Sequence, residues 1–431
     1  MYYHINYGVK LQIKSVIHNS GSIDSAMYIV VNIALSIVSF FRSFIFMRVL
    51  NMNELGIITL VQTIAQSIGI LQIGMINGGY RIYSIQEESR SSQVNNVLFS
   101  FILTLGSGLF LIWTLLRLVG INVAIALPIS LVGILIGILS LLANWLTNTL
   151  IASQKFKDLN FVNLISAAFA LLILTIIPYW RISGAVLAIL VQPAMFVVLA
   201  LFIHRSLRPY KFSLDLKEIK VILKFGFIPF LIGVFVLLNA QLERWTIVYN
   251  IGTQALGEFY LVFLYSSLFV IIPSSLNAIF FPKIIKAYSQ KKIDVVKSNL
   301  RRYYYLLSLY SIIMIFITLF FMGYLIDRFI PQHHIGLKYV HIILPGLIVI
   351  LFSDPISVLL NASKILNPML YISIISMIIN IISIFVLMIE KKISLESLAM
   401  LRTFMNVSTC ILYILVYFFN KKLIWGNYEN Q

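Results

Sequence analysis

Apolar stretches of about 20 residues follow one another along almost the whole chain of 431 residues. A helix of that length crosses about 30 Å of hydrocarbon, the thickness of a bilayer core. Backbone polar groups must be paired inside a bilayer, and the alternating pattern of barrel strands is absent. Only 11% of the residues are charged, whereas a soluble domain carries about a quarter. The sequence therefore predicts an all-α integral membrane protein.

The apolar stretches predict about 12 transmembrane helices, and the basic residues predict their orientation. The predicted spans are residues 26–47, 57–79, 97–118, 123–145, 161–180, 183–203, 225–248, 258–281, 304–326, 339–360, 369–389 and 397–419. Lys and Arg are concentrated on one side of these spans, as in the segments 204–224 and 282–303. Because basic loops remain in the cytoplasm, both termini are predicted to be cytoplasmic. This bias also explains the net charge of +17, so no nucleic-acid partner is expected.

The second half of the chain repeats the first. Residues 24–79 recur at 225–281, so that Leu55-Gly56 corresponds to Leu256-Gly257. An even number of helices in each repeat keeps both copies in the same orientation, which predicts parallel repeats around a central cavity. The predicted divisions are a cytoplasmic N-terminal segment (1–25), a first six-helix bundle (26–203), a basic cytoplasmic linker (204–224), a second six-helix bundle (225–419) and a cytoplasmic tail (420–431).

Three arginines lie within predicted spans, namely Arg42, Arg244 and Arg402. A guanidinium in the bilayer core is costly, so such residues usually face protein or a hydrated cavity. These arginines are candidates for a cationic inner surface that binds an anionic substrate. The alternative is that each extends its side chain to the membrane surface. Arg42 and Arg244 occupy nearly matching positions in the two repeats, which favours the cavity.

Two carboxylates within the spans have two interpretations each. Glu243 neutralises a nearby arginine, or it takes part in coupling transport to an ion. Asp354 precedes Pro355 near the inner end of the tenth span. It either binds H⁺ or Na⁺ during a transport cycle or caps the backbone that the proline leaves unpaired.

Amide side chains share helical faces with one another or with a charged residue, at spacings of four residues. The pairs are Gln62 with Gln66, Asn239 with Glu243, and Arg402 with Asn406. Such pairs either line a polar cavity or form hydrogen bonds between helices. The small-residue pairs Gly74 with Gly78 and Gly133 with Gly137 predict close helix packing.

No catalytic or cofactor motif is evident. A Walker A sequence and a Gly-x-Ser-x-Gly elbow are both absent. His333, His334 and His341 have no cysteine or carboxylate cluster nearby, so a metal site is not expected. The sequence therefore predicts a protein that is not an enzyme and holds no cofactor.

Several short segments carry a resemblance to a known family. They are residues 53–57 (NELGI), 74–81 (GMINGGYR), 242–245 (LERW), 256–260 (LGEFY) and Pro282. With these motifs the chain resembles the polysaccharide flippases (O-antigen or capsule repeat-unit, Wzx type) of the multidrug/oligosaccharidyl-lipid/polysaccharide exporter superfamily. The resemblance implies a V-shaped cavity between the bundles, which opens alternately to each side.

The resemblance also implies a function. Such a protein translocates an oligosaccharide repeat unit on undecaprenyl pyrophosphate across the bacterial cytoplasmic membrane, for surface polysaccharide biosynthesis. Implied partners are the lipid-linked oligosaccharide, membrane lipids, a polysaccharide polymerase with its chain-length machinery, and H⁺ or Na⁺ as coupling ion. Two alternatives remain: a multidrug or small-molecule cation-coupled antiporter of the same superfamily, and a membrane polysaccharide polymerase. The short outer segments disfavour the polymerase.

Overall fold

The computed structural model describes residues 21–85, 88–119, 126–363, 365 and 367–425. These residues form helices and turns without a strand. The α-helices are α1 (Gly21–Val49), α2 (Met52–Ile68), α3 (Met75–Ile85), α4 (Glu88–Leu118), α5 (Leu127–Ala152), α6 (Phe156–Leu174), α7 (Ile177–Ile203), α8 (Leu216–Asn250), α9 (Thr253–Glu258), α10 (Tyr260–Ser289), α11 (Ile293–Phe316), α12 (Met322–Phe329), α13 (His334–Leu351), α14 (Asp354–Ala362), α15 (Asn367–Ile389) and α16 (Leu395–Trp425). Short 3₁₀ turns cover Gly69–Gln72, Arg205–Leu207 and Pro331–His333, and a π turn covers Ile317–Phe321.

The prediction of a multi-pass all-α membrane protein is confirmed. Eleven segments of the described chain are long and apolar enough to cross a membrane. The remaining predicted span, 225–248, lies within α8. This helix begins at Leu216, inside the segment predicted to be a linker, and α16 continues to Trp425. Residues 1–20 and 426–431 of the predicted terminal segments lie outside the described residues.

The predicted orientation, with both termini in the cytoplasm, gives names to the two ends of the helices. The end of α1 at Val49 is called the outer end, and the opposite end the inner end. At the outer end the two halves share one hydrophobic core, which includes Phe46 and Leu55 of the first half and Leu256 and Phe259 of the second. The outer end of the seam between the halves is therefore closed by buried apolar side chains.

The repeated Leu-Gly pairs lie in the first turns of α2 and in α9, and they meet each other at the outer end. Asn51 and Glu54 form a capping box that starts α2, and this fixes the position of Gly56. A Cβ atom at Gly56 would lie 2.1 Å from the carbonyl oxygen of Thr253, and one at Gly257 would lie 1.9 Å from that of Met52. The two halves thus approach each other backbone to backbone, which only glycine allows.

The sequence suggested that the second predicted span is one continuous helix, but the structure shows that it is interrupted. Its helix ends at Ile68, and α3 begins at Met75 after a 3₁₀ turn. Ile73 and Gly74 both have positive φ angles, 52° and 92°. Such a conformation is unusual for a β-branched residue such as isoleucine. Gln72 accepts a hydrogen bond from the amide of Ile76 at 2.9 Å and thereby caps α3.

The break directs α3 against α8 at the inner part of the seam. A Cβ atom at Gly226 would lie 2.0 Å from the carbonyl oxygen of Gly74 and 2.4 Å from the amide nitrogen of Gly78. A Cβ atom at Gly78 would lie 2.0 Å from the carbonyl oxygen of Ile222. The second span therefore contacts the opposite half through glycines at both of its ends.

Candidate functional site

A polar cavity of about 280 Å³ lies between the two halves, beneath the closed outer end. Its lining includes Arg42, Gln62, Gln66 and Arg244, four of the residues singled out from the sequence. Ser39, Ser43, Thr59, Ser140, Tyr260, Phe263 and Ser267 also line it. The two arginines from matching repeat positions thus face the same space.

Arg42 is held in place by a neighbouring helix of its own bundle. Its Nη1 atom donates a hydrogen bond to Oε1 of Gln192 at 2.9 Å, and its Nη2 atom donates to Oγ of Ser39 at 3.2 Å. Its Nε atom is buried and has no partner among the described residues. Arg42 therefore retains an unused donor in a region without a paired carboxylate.

Arg244 connects the two halves across the seam. Its Nη1 atom donates to Oε1 of Gln66 at 3.1 Å, and the same oxygen accepts from Nε2 of Gln241 at 2.9 Å. The guanidinium carbon lies 4.6 Å from the centre of the Phe263 ring, which is a cation–π distance. Nε1 of the adjacent Trp245 donates to Oγ of Ser67 at 3.2 Å. Arg244 is therefore oriented by neutral partners and keeps its charge available to the cavity.

Four of the other predicted site residues lie in a separate chamber of the second bundle, with a volume of about 200 Å³. Asn239, Glu243, Arg402 and Asn406 line it together. Nη1 of Arg402 lies 3.2 Å from Oε2 of Glu243, so these two charges neutralise each other. The structure therefore divides the predicted site between two chambers.

Phe263 lies between the charges of the two chambers. The guanidinium carbon of Arg402 is 5.9 Å from the centre of its ring, on which Arg244 also lies. Both cations are thus attracted to one aromatic ring. Arg244, which faces the central cavity, forms no ion pair with a carboxylate among the described residues, whereas Arg402, which faces the second chamber, is paired with Glu243.

Asp354 lines neither of these chambers. It is the first residue of α14, where the tenth span is interrupted, and it lies near Tyr303 and Tyr413 of the same bundle. Its side chain makes no capping hydrogen bond within the described part of the chain; Ser353 occupies the N-cap position. In the described structure, Asp354 therefore neither caps a helix nor lies beside the cavity arginines.

A third chamber, of about 320 Å³, lies inside the first bundle and was not anticipated from the sequence. Its polar lining consists of Arg42, Ser140, Asn144, Thr147, Asn163, Ser166 and Gln192. Arg42, Ser140 and Ile189 line both this chamber and the central cavity, so the two spaces adjoin. Ser140, Asn144 and Thr147 follow one face of α5 at spacings of four and three residues. This periodicity is the sequence signal that could have indicated a polar face of α5 at this chamber.

A smaller groove leads from the central cavity towards the inner end between α1 and α10. It has a volume of about 160 Å³ and is lined by Ser36, Ser39, Phe40, Ser43, Ser267, Leu268 and Ile271. Three of these serines also line the central cavity. Because Ser36 and Ile271 lie on the inner side of the cavity residues, the groove extends away from the closed outer end.

The pair formed by Glu243 and Arg402 gives a stability prediction. The substitution Glu243→Gln leaves the Arg402 guanidinium partly buried without its counter-charge, which costs about 3 kcal/mol. We expect a lower unfolding temperature for the detergent-purified variant. The double variant Glu243→Gln/Arg402→Gln removes both charges and should recover most of the loss. Equal unfolding temperatures for the wild type and Glu243→Gln would contradict the pairing.

Comparison with known proteins agrees with this architecture. The sequence model of the MatE family matches residues 229–386. No curated protein matches the chain by sequence. A multidrug resistance MATE family transporter of the MOP superfamily, in an inward-facing conformation, superimposes with a TM-score of 0.70 at 13% identity, covering 92% of this chain and 96% of that one.

Two further structures are similar. The lipid II flippase MurJ in an inward closed conformation gives a TM-score of 0.69 at 13% identity, with 91% of this chain and 87% of MurJ covered. A MOP superfamily transporter from Pyrococcus furiosus is described as having a binding pocket of reverse polarity. It gives a TM-score of 0.62 at 14% identity, covering 94% of this chain and 96% of that one. An outward-facing MATE transporter gives a lower score of 0.59. The chain therefore has the fold shared by the MATE transporters of the MOP superfamily and the flippase MurJ.

Proposed function

We propose that this protein is a flippase, which moves an undecaprenyl-pyrophosphate-linked oligosaccharide from the inner to the outer leaflet of the bacterial cytoplasmic membrane by alternating access. One observation carries the proposal: Arg42 and Arg244 face the central cavity, and no carboxylate is among the described residues that line it. A cavity with this charge is suited to an anionic headgroup. The product would supply the biosynthesis of a surface polysaccharide.

The donors around the cavity fit the two parts of such a headgroup. Guanidinium groups form forked, charge-assisted hydrogen bonds with phosphate oxygens. The amides of Gln62 and Gln66 and the neighbouring serine hydroxyls can both donate to and accept from sugar hydroxyls. The groove between α1 and α10 is partly lined by the apolar residues Phe40, Leu268 and Ile271, which suits a polyprenyl tail that remains in the lipid.

The closed outer end supports a direction of loading. The halves share an apolar core there, and the groove extends towards the inner end. A substrate made on the cytoplasmic side would therefore enter this conformation. Release would require the outer end to open, with H⁺ or Na⁺ as a coupling ion and a polysaccharide polymerase as the acceptor of the product.

The alternative within transport is a multidrug or small-molecule antiporter. Its support is the similarity to multidrug MATE transporters and the presence of Glu243, whose Oε1 atom has no partner among the described residues. Cationic drugs would require such a carboxylate, but Arg402 already neutralises it. The unpaired charges of the central cavity are positive, and this favours the flippase.

Ligand binding to the purified protein separates the two functions. We expect undecaprenyl pyrophosphate to quench tryptophan fluorescence at lower concentration than the neutral lipid undecaprenol, because only the former carries phosphates. A cationic dye such as ethidium should bind weakly. In cells, deletion of the gene should abolish surface polysaccharide and leave drug resistance unchanged. The reverse pattern, with intact polysaccharide and lost resistance, would refute the flippase.

A further inference from the structure

The last turn of α1 is capped by side chains from the other half of the protein. Met47 belongs to the final four residues of this helix, whose carbonyl oxygens have no partner within the helix. Its carbonyl oxygen accepts a hydrogen bond from Nε2 of His333 at 3.1 Å and another from Nε2 of Gln332. Both donors lie in the 3₁₀ turn at Pro331–His333. This contact joins the two halves at the outer end.

The hydrogen bond determines which ring nitrogen of His333 carries a proton. A carbonyl oxygen only accepts, so Nε2 carries a proton, and in the neutral ring Nδ1 is then the bare nitrogen. The side chain is 1% exposed, and Nδ1 is buried without a partner among the described residues. A second proton on Nδ1 would place a buried charge with an unpaired donor at the seam, which is strongly unfavourable.

Charged groups on the surrounding elements do not compensate for such a charge. They are Arg48 on α1, Glu54 on α2, Glu258 on α9, Asp327 and Arg328 on α12, and His334, Lys338 and His341 on α13. Asp327 is paired with His334 at 2.6 Å, Glu54 with Arg181, and Lys338 with Glu396. Within the described chain, none of these groups forms an ion pair with His333.

We propose that His333 is a proton-binding site that controls the outer end of the seam. Neutral His333 caps α1 and holds the two halves together. Protonated His333 is compatible only with an open seam, in which the ring reaches water. A proton taken up from the outer side therefore favours opening, and its release favours closure. The proposal concerns the movement of the halves and holds for any substrate.

The sign of the pH dependence follows from this cycle. Closing the seam requires the neutral ring, so the closed form gains population as the pH rises. An exposed imidazole titrates at about pH 6.5, so the closed form should lose population as the pH falls below that value. The adjoining contact between the rings of Phe44 and Phe329, with centroids 6.3 Å apart, contains no titratable group and should respond only through His333.

Spin labels on both sides of the seam can measure this movement. Cys410 is buried and is the only cysteine, so it is first replaced by alanine. Labels at Arg48→Cys and Ile335→Cys, both exposed positions, then report the distance between the halves in the full-length protein in lipid nanodiscs. We expect one short distance at about pH 8 and a longer distance to become dominant at about pH 5.

Two variants make the experiment decisive. His333→Gln keeps a neutral donor for the Met47 carbonyl oxygen and cannot be charged, so the short distance should persist at both pH values. His334→Gln removes an exposed histidine next to it and should behave like the parent protein. An unchanged distance in the parent, or an equal shift in His333→Gln, would overturn the proposal. Elution of each variant as a monodisperse protein confirms that it is folded.

Discussion

Gly226→Ala is expected to destabilise the protein by about 3 kcal/mol, the upper range for overpacking a tightly packed contact. The added methyl would lie 2.0 Å from the carbonyl oxygen of Gly74 and 2.4 Å from the amide nitrogen of Gly78. Both are backbone atoms, so no side chain can turn away to make room. The inner contact between α3 and α8 would therefore be forced apart. Thermal unfolding of the purified protein measures the effect.

Gly233 supplies the matched control for this prediction, because it lies in the same helix and a Cβ atom there would meet nothing within 4 Å. Gly233→Ala should be neutral or stabilising by up to about 1 kcal/mol, the helix-propensity difference between the two residues. Similar unfolding temperatures for the two variants would show that the contact at Gly226 does not hold the halves together. A loss of export by Gly226→Ala at permissive temperature would show that transport also needs this contact.

Arg42→Ala and Arg244→Ala are each expected to reduce export of the lipid-linked oligosaccharide by about 30-fold. The loss of a charge-assisted hydrogen bond to phosphate is worth about 2 kcal/mol, and about 1.4 kcal/mol corresponds to a factor of ten. Arg→Lys variants keep the charge but lose the forked geometry, so they should retain part of the activity. Surface polysaccharide in a deletion strain that carries each variant gives the measurement.

Arg205→Ala is the control for the cavity arginines. Arg205 is exposed in the 3₁₀ turn at the inner end and lines none of the chambers. Its removal changes the net charge by the same amount but should leave export unchanged. Full export by both Arg42→Ala and Arg244→Ala would eliminate the cationic cavity as the binding site. Reduced export by all three variants would instead indicate a general effect of charge on membrane insertion.

Much of the architecture was predictable from residue types. Where the structure describes them, the twelve predicted spans are helices or helix pairs, because the bilayer leaves no alternative for a long apolar segment. Close packing was also predictable at small residues. Gly133 and Gly137 approach Ile64 and Ile68 of α2, as their spacing indicated. Both predictions depend on local sequence alone.

The break in the second span was not predictable from local sequence. Isoleucine disfavours a positive φ angle, so Ile73 gave a signal opposite to the conformation it adopts. The cause lies far away in the chain, where Gly226 allows α3 to approach α8. Only the assembled fold brings these residues together, and the contact overrides the local preference.

The candidate site was partly predictable. The repeat relation indicated that Arg42 and Arg244 share a space, and both line the central cavity. The arrangement of Arg402 in another chamber depends on Glu243, whose side-chain direction the sequence did not specify. The chamber of the first bundle was missed because amides such as Asn144 and Asn163 serve equally well as bridges between helices.

The interruption at Ile73 and Gly74 has a mechanical consequence. The outer part of the second span is bound to Thr253 and Gly257 of the opposite half, and the inner part is bound to Gly226. A rotation of the backbone at the interruption changes the angle between these two parts and leaves each of them internally rigid. The two halves can then separate at one end of the seam while they remain in contact at the opposite end. The seam therefore need not be open at both ends at the same time.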